Sequence, residues 1–355
     1  MVSKSMLSSL LKKQLTHVPQ PQPFFTFLHG SWCPISAQRA EPHADLQHEY
    51  TFFRNLRLIT WNIDFMTPYP QQRMAAALDH LESVVSRIPA STAVCIFLQE
   101  MCERDSDLTQ ICNSTWIRDK FHVTDIDGSK WNNHYGTVTM IDRRLQVANV
   151  ARLPFVSEFH RDALLVDVPI GEPQNSNFLQ LCNVHLDSMA GPMRPIQWKG
   201  AAAQLQAPFT GNVASILAGD CNANRPWDKT EPQDNGFHDA YLELGGVEDD
   251  EKGATWGFQS KDWRRWGRQR LDKVVFWGDA EVKSLNRLGI GIRVKDEEVA
   301  KKLAKQEELD FATDHYGLMA EFEIPGGLLT VQEQGDGDHA PDMQDAPPLP
   351  STATS

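Results

Sequence analysis

The chain has 355 residues, 41% hydrophobic and 23% charged, the balance of a globular protein large enough to bury its own core. It holds no apolar run near the roughly 20 residues that cross a bilayer as a helix, which excludes a helical integral membrane protein. A net charge of −13 excludes nucleic-acid binding by overall attraction, so such a partner has to be met through a local basic patch.

At the N-terminus Met6, Leu7, Leu10, Leu11 and Leu15 stand at helical spacing among Lys4, Lys12 and Lys13, with no acid before Glu41. The pattern is faintly that of a mitochondrial targeting segment, and a frayed terminus is the plainer reading. Gln20-Pro21-Gln22-Pro23 breaks regular structure, and Phe24-Phe25-Thr26-Phe27 is apolar enough to lie against a domain. Strands are expected at Leu56–Asn62, Ala93–Leu98, Phe121–Ile126, Gly136–Ile141, Leu145–Val150, Ala163–Val168, Phe178–Leu186, Val213–Ala218, Leu271–Phe276 and Leu318–Ile324. Met74, Leu78, Leu81 and Val85 mark one face of a helix, and Ile196–Leu205 reads as a second. The expected organisation is an N-terminal extension over 1–48, partly disordered or packed on the domain, one domain over 49–325, and a disordered acidic, Pro-containing tail over 326–355. The six cysteines are scattered, with no disulfide-framework or zinc spacing, which points to a reducing intracellular compartment: nucleus or cytoplasm, with a mitochondrial destination left open.

Many strands with few helices predict an α/β fold of two sheets with helices on the outer faces. Polar residues close several strands: Asn62, Glu100, His185 and Asp220 follow apolar runs, while Asp272 stands at the start of one expected strand and His315 just before the last. Strand ends in layered α/β folds converge on one edge, where ligands bind. Taken singly, each residue reads as a turn former or helix cap, and a lone His as a structural residue.

As an ordered set they resemble the endonuclease/exonuclease/phosphatase superfamily, the fold of deoxyribonuclease I. The resemblance rests on Thr60-Trp61-Asn62, Leu98-Gln99-Glu100, Asn183-Val184-His185-Leu186, Gly219-Asp220-Cys221-Asn222, Arg270-Leu271-Asp272 and Thr313-Asp314-His315, and covers about residues 50–325. Within the superfamily the chain is most similar to the 5′-tyrosyl-DNA phosphodiesterases, through Thr60-Trp61-Asn62-Ile63-Asp64, His185-Leu186-Asp187-Ser188, Thr255-Trp256 and Asp314-His315-Tyr316-Gly317-Leu318. It departs from them at Asp187, where the family has Glu, at Thr313, where it has Ser, and at Asn224, where it has Arg; here an Arg follows at 225. The resemblance implies a four-layer α/β/β/α sandwich of two mixed sheets flanked by helices, and hydrolysis of a phosphodiester, with a 5′-phosphotyrosyl-DNA adduct as the expected substrate in DNA repair.

Phosphodiester hydrolysis needs a Lewis acid, an activated water and support for the leaving group. Glu100 is the expected ligand for Mg²⁺, or Mn²⁺ in its place, with Asn62 at the edge of the shell and Asp314 acting through water. Asp220 is the expected base, held by the Asn222 amide. Asp272 is expected to orient His315, and His315 and His185 to donate to the phosphoryl oxygens. Residues 261–273 hold six bases against two acids, with tryptophans interleaved. Trp263, Arg264, Arg265, Trp266 and Arg268 are thus candidate contacts to DNA ends, with Arg194, Arg225 and Trp256 beside them. The alternatives are another phosphohydrolase of the superfamily, sphingomyelinase-like or acting on nucleotide or sugar phosphates, and an inactive partner-binding scaffold, against which the intact motifs argue.

Overall fold

The computed structural model describes residues 4–36, 50–64, 66–102, 107–172, 176–189, 191–207 and 211–331. In chain order the elements are α1 (Lys4–Thr16), β1 (Gln20–Pro21), β2 (Phe24–Leu28), β3 (Ser31–Ile35), β4 (Phe52–Asn62), α2 (Pro70–Val85), β5 (Thr92–Cys102), α3 (Asp107–Asn113), α4 (Thr115–Lys120), β6 (Phe121–Val123) and β7 (Tyr135–Asp142). They continue with β8 (Asn149–Pro154), β9 (Asp162–Ile170), β10 (Asn177–His185), α5 (Met193–Leu205), β11 (Asn212–Asp220), α6 (Glu231–Asp234), β12 (His238–Asp239) and α7 (Ala240–Glu243). The last are α8 (Trp263–Trp266), β13 (Asp272–Gly278), β14 (Glu281–Leu288), α9 (Glu297–Lys305) and β15 (Gly317–Leu329).

One sheet runs β14-β15-β4-β5-β7-β6-β2-β3, the other β12-β13-β11-β10-β9-β8-β1. They join at one corner, where Leu328 of β15 bridges Ile170 of β9. Between them lies a shared core of Leu56, Leu58, Phe97, Leu164, Val166, Leu181, Ile216, Val274 and Phe322. The outer face of the first sheet packs on α2, α3 and α4 through Ile59, Ile96, Leu81, Ile111 and Trp116. The outer face of the second packs on α5 through Leu165, Val184, Trp198 and Leu205. This is the expected four-layer sandwich. Among the described residues no helix is long and apolar enough to cross a membrane.

Each sheet contains one parallel pair joined by a crossover helix: β4-α2-β5 and β10-α5-β11. The other pairings are antiparallel, so both sheets are mixed. The two crossovers matter for function, because the carboxyl ends of parallel strands are where α/β folds place ligands.

Several expectations are corrected. The first helix is not frayed: Gln14 is buried, donates to Pro154 O at 3.2 Å and accepts from Val156 N at 2.6 Å. It docks where α5 has Gly200, at which a Cβ would lie 2.6 Å from the Gln14 side chain. The Phe24–Phe27 run forms an edge hairpin with β3, turning through His29 and Gly30, both at positive φ. Of Leu145–Val150 only Asn149 and Val150 are strand, since β8 starts at Asn149, and Leu145 and Val147 are buried from a loop in the core between the sheets. The final strand outruns the boundary at 325: after a bulge at Gly326 and Gly327, Leu328 and Leu329 pair with Phe53 and Phe52. Residues 332–355, with Pro347-Pro348-Leu349-Pro350, lie outside the described residues, as do 37–49 of the N-terminal extension.

Candidate active site

Strand register assembles the site. Asn62, at the end of β4, is paired with Gln99 of β5, and His185, at the end of β10, with Asp220 at the end of β11. Asp220 is paired in turn with Asp272, the first residue of β13. His315 stands two residues before β15, whose Leu318 is paired with Thr60. Four of these side chains thus come from the carboxyl ends of the parallel strands, and two from the amino ends of antiparallel strands at the same edge.

Local backbone makes the close approach. The β5–β7 register slips between Leu98 and Met101, and Glu100 inside that bulge has φ 57°. Asn222 and Asp64 are also non-glycine residues at positive φ, 47° and 57°. Strain of this kind concentrates at functional sites. Gly219 is needed as glycine, because a Cβ there would lie 1.9 Å from Val184 O of the neighbouring strand.

Asp220 is the centre of the cluster. Its Oδ2 accepts from Asn62 Nδ2 at 3.0 Å and lies 3.4 Å from His185 Nε2 and 3.9 Å from His315 Nε2. Its Oδ1 accepts from the backbone N–H of Asn222 at 2.8 Å. The Asn222 side-chain amide does not hold Asp220, as the sequence had suggested; it donates to Leu186 O at 2.9 Å and fixes the loop instead. Burial would raise the Asp220 carboxyl, but the hydrogen bond from His185 and the charges of both histidines outweigh it and push it far below the usual range. Asp220 therefore stays an anion.

Asp272 Oδ2 lies 2.8 Å from His315 Nδ1, leaving Nε2 to face Asp220 and, at 3.8 Å, Asp314 Oδ1. Burial opposes charge on His315, yet Asp272, Asp314 and Asp220 together lift its pKa well above the ordinary value. The three carboxylates thus favour the charged imidazole, with Nε2 facing into the cluster. In Asp272→Asn the loss of the carboxylate beside Nδ1 destabilises the charged imidazole, so the His315 pKa falls. The basic limb of a kcat/KM–pH profile is expected to move to lower pH in Asp272→Asn; a limb that stays in place would detach this pair from the rate.

Glu100 Oε1 accepts from Asn62 Nδ2 at 3.1 Å and lies 3.6 Å from His185 Nε2. Glu100, His185 and Asp220 offer ligand atoms all within 4.8 Å of one another. The set fits a divalent cation: two hard carboxylates converge, and burial together with mutual repulsion raises Asp64 and Asp314, a crowding that a cation would relieve. A hard cation would take the carboxylate oxygens and leave His185 to donate to other acceptors. Asp314 stands outside this three-residue cluster; its Oδ2 accepts from Trp256 Nε1 at 2.6 Å. Trp256 is thereby tied to Asp314 rather than free to meet a ligand by its indole N–H.

Arg194 is corrected outright as a substrate contact. It is 0% exposed. Its guanidinium binds both Asp228 carboxylate oxygens at 3.0 and 2.7 Å, the carbonyls of Asp187 and Met189 at 2.7 and 2.8 Å, and Asn224 Oδ1 at 3.0 Å. It braces the loops that follow β10 and β11. Asp187, the shortened member of its motif, is likewise structural, accepting from Ser157 Oγ, Glu158 N and Gln197 Nε2.

Beside the cluster an open groove of about 730 Å³ starts at Ala223, directly after the Asp220–Asn222 loop. Arg225, Trp263, Arg264, Trp266 and Arg268 line it, and Trp263 and Trp266 are 45% and 51% exposed. The local charge of the patch is smaller than its sequence suggests. Arg268 pairs with Glu251, Arg270 with Asp239 and Glu248, Lys273 with Asp239, and Lys261 with Glu308. Arg264 and Arg265, stacked over Trp263 and Trp266, have no ion pair among the described residues.

Sequence reasoning passed over several supports. Gln99 Nε2 donates to Thr60 Oγ1 at 2.9 Å and Asn183 Oδ1 at 2.8 Å, and Asn183 Nδ2 to Val138 O at 2.9 Å, a buried polar bridge between the sheets. Thr313 Oγ1 donates to Asn62 O at 2.7 Å and accepts from His315 N at 3.2 Å. Arg161 and Tyr135 line a small pocket against His185, with Arg161 Nη1 on Leu186 O at 2.8 Å. Gln99, Asn183 and Thr313 sit inside the quoted motifs; Arg161 carries no sequence signal.

Solved structures share this fold at low identity. A truncated TDP2 from Caenorhabditis elegans is 21% identical with a TM-score of 0.58, over 76% of this chain and 97% of its own. TDP2 from D. rerio, complexed with a single-strand DNA product, is 17% identical with a TM-score of 0.56, over 76% and 98%. The human Nocturnin catalytic domain with bound sulfate is 16% identical with a TM-score of 0.51, over 78% and 97%. Among curated protein sequences none matches. The Endonuclease/Exonuclease/phosphatase family model matches residues 59–315, which run from β4 to His315 and include Asn62, Glu100, His185, Asp220 and Asp272, and the chain belongs to that family.

Proposed function

We propose that the protein is a Mg²⁺-dependent phosphodiesterase, with Mn²⁺ able to substitute, that removes 5′-phosphotyrosyl adducts from DNA ends. The observation that carries this reading is the adjacency of the cluster to a groove walled by exposed tryptophans and by arginines, the chemistry that stacks unpaired bases and meets phosphates. The single-strand DNA product held by the D. rerio neighbour supports it. When bound, the cation would polarise the scissile phosphate and offset its charge. Asp220, held ionised, takes the hydrogen bond and proton of the attacking water. Asn62 fixes Asp220 and Glu100 relative to each other. His315 Nε2–H and His185 donate to the phosphoryl oxygens as charge builds.

The deciding experiment is turnover with Mg²⁺ on a panel of phosphotyrosyl oligonucleotide, abasic DNA, poly(A), inositol phosphates and sphingomyelin. Cleavage of the first is expected; turnover of a small or lipid phosphoester alone would replace the reading with the small-substrate one. Glu100→Gln is expected to weaken Mg²⁺ binding at least about tenfold, because an amide is a poor ligand for a hard cation; calorimetric titration reads this, and unchanged affinity would move the ligand role elsewhere. Arg264→Ala with Arg265→Ala is expected to raise KM for the oligonucleotide and flatten its dependence on log salt by about 1.4, at roughly 0.7 per phosphate lost on a single strand.

A further inference from the structure

The groove carries an arrangement that the cluster does not use. Of its five basic side chains, Arg225, Lys229, Arg264, Arg268 and Arg270, three are paired with acids of one loop segment. Lys229 Nζ lies 2.5 and 2.8 Å from the two Asp249 oxygens, Arg268 pairs with Glu251, and Arg270 with Glu248. All four acids of that segment, Glu248-Asp249-Asp250-Glu251, line the same groove. Arg270 and Glu248 belong to the scaffold, since Arg270 is buried and also held by Asp239. The other two pairs face water, with the Asp249 and Glu251 side chains 70% and 61% exposed. Exposed pairs of this kind are weak and yield readily to a competing anion.

We propose that Asp249 and Glu251 are specificity-determining residues that occupy the cationic groove as stand-ins for phosphate, so that a nucleic-acid strand binds by taking Lys229 and Arg268 from them. The proposal rests on the DNA-end reading above and adds what sets affinity for the strand. A ligand with one phosphate, seated at Glu100 and Asp220, gains nothing from displacing these carboxylates. A strand with consecutive phosphates gains at each cation it takes over. The segment thereby filters for chain-like polyanions without touching the scissile bond, and it reconciles a basic rim with a protein of net charge −13.

The test uses the full chain with Mg²⁺ and a fluorescein-labelled ten-residue oligothymidylate with a 5′-hydroxyl, which offers no phosphotyrosyl bond. Fluorescence anisotropy is read across a salt series. The Asp249→Asn/Glu251→Gln variant is expected to bind about fivefold more tightly at low salt, with a log K–log salt slope steeper by about 1.4, because in the wild type the two freed carboxylates take cations back up and cancel the release at two phosphates, roughly 0.7 each. The charge-conserving Asp249→Glu/Glu251→Asp variant is expected to keep the wild-type affinity and slope; a gain there would mean that the segment acts by shape, and would overturn the proposal. Wild-type binding with no change in the Asn/Gln variant overturns the proposal alone and leaves the DNA-end reading standing. Binding by neither protein overturns both.

Discussion

Asp220→Asn is expected to fold and to lose at least about 10²-fold in turnover, the usual cost of removing a positioned general base. The geometry gives two reasons for a loss of that size. Both oxygens of Asp220 accept hydrogen bonds, Oδ2 from Asn62 Nδ2 and Oδ1 from Asn222 N, so the amide of an asparagine must turn its NH₂ toward one of these donors. The substitution also removes one of the three carboxylates that raise the His315 pKa, which weakens His315 as a charged donor. The change is isosteric, and the β11 backbone is fixed by pairing with both β10 and β13, so the strand itself stays in place. Turnover of the phosphotyrosyl oligonucleotide, with a thermal melt as control, decides the matter. A folded variant with near wild-type kcat would remove Asp220 from the mechanism.

The sequence made the candidate site edge legible because its residues end or begin strong apolar strands. Asn62, Glu100, His185 and Asp220 each close a run that reads as buried β, and β pairing then leaves little freedom in where they meet. The same logic found α2, whose Met74, Leu78, Leu81 and Val85 are all buried. It failed where burial and secondary structure part company. Leu145 and Val147 alternate like a strand but are buried from a loop. Strand β14 was passed over because its residues are largely half-exposed, and α9 because it buries only Val299 and Leu303. Local pattern cannot report partners distant in the chain: the cationic run at 261–273 looked free, yet Glu248, Glu251, Asp239 and Glu308 answer most of it. Asn222 failed more subtly: on a backbone at φ 47° its N–H meets Asp220, while its side-chain amide turns to Leu186 O.

Arg194 is the case in which the same limit inverts a residue's role, and it carries the largest expected effect on stability. From the first turn of α5 its fork grips Asp228 on two sides, and its remaining donors satisfy the Asp187 and Met189 carbonyls and Asn224 Oδ1. Arg194→Met is expected to cost about 3–5 kcal/mol, because a buried ion pair broken on one side leaves Asp228 desolvated and uncompensated. Arg194→Lys is expected to recover only part of this, since a point charge cannot reproduce the bidentate geometry. Denaturant titration reads the loss as a lower midpoint at unchanged slope. Adding Asp228→Asn to Arg194→Met should cost much less than the two single losses together, because the second change removes the charge that the first left stranded. The brace also joins the loop after His185 to the loop after Asp220, so kcat of Arg194→Met should fall below the folding midpoint as well, where the protein is still native. A variant of wild-type stability that lost only affinity for the oligonucleotide would return Arg194 to the phosphate contacts from which its burial removes it.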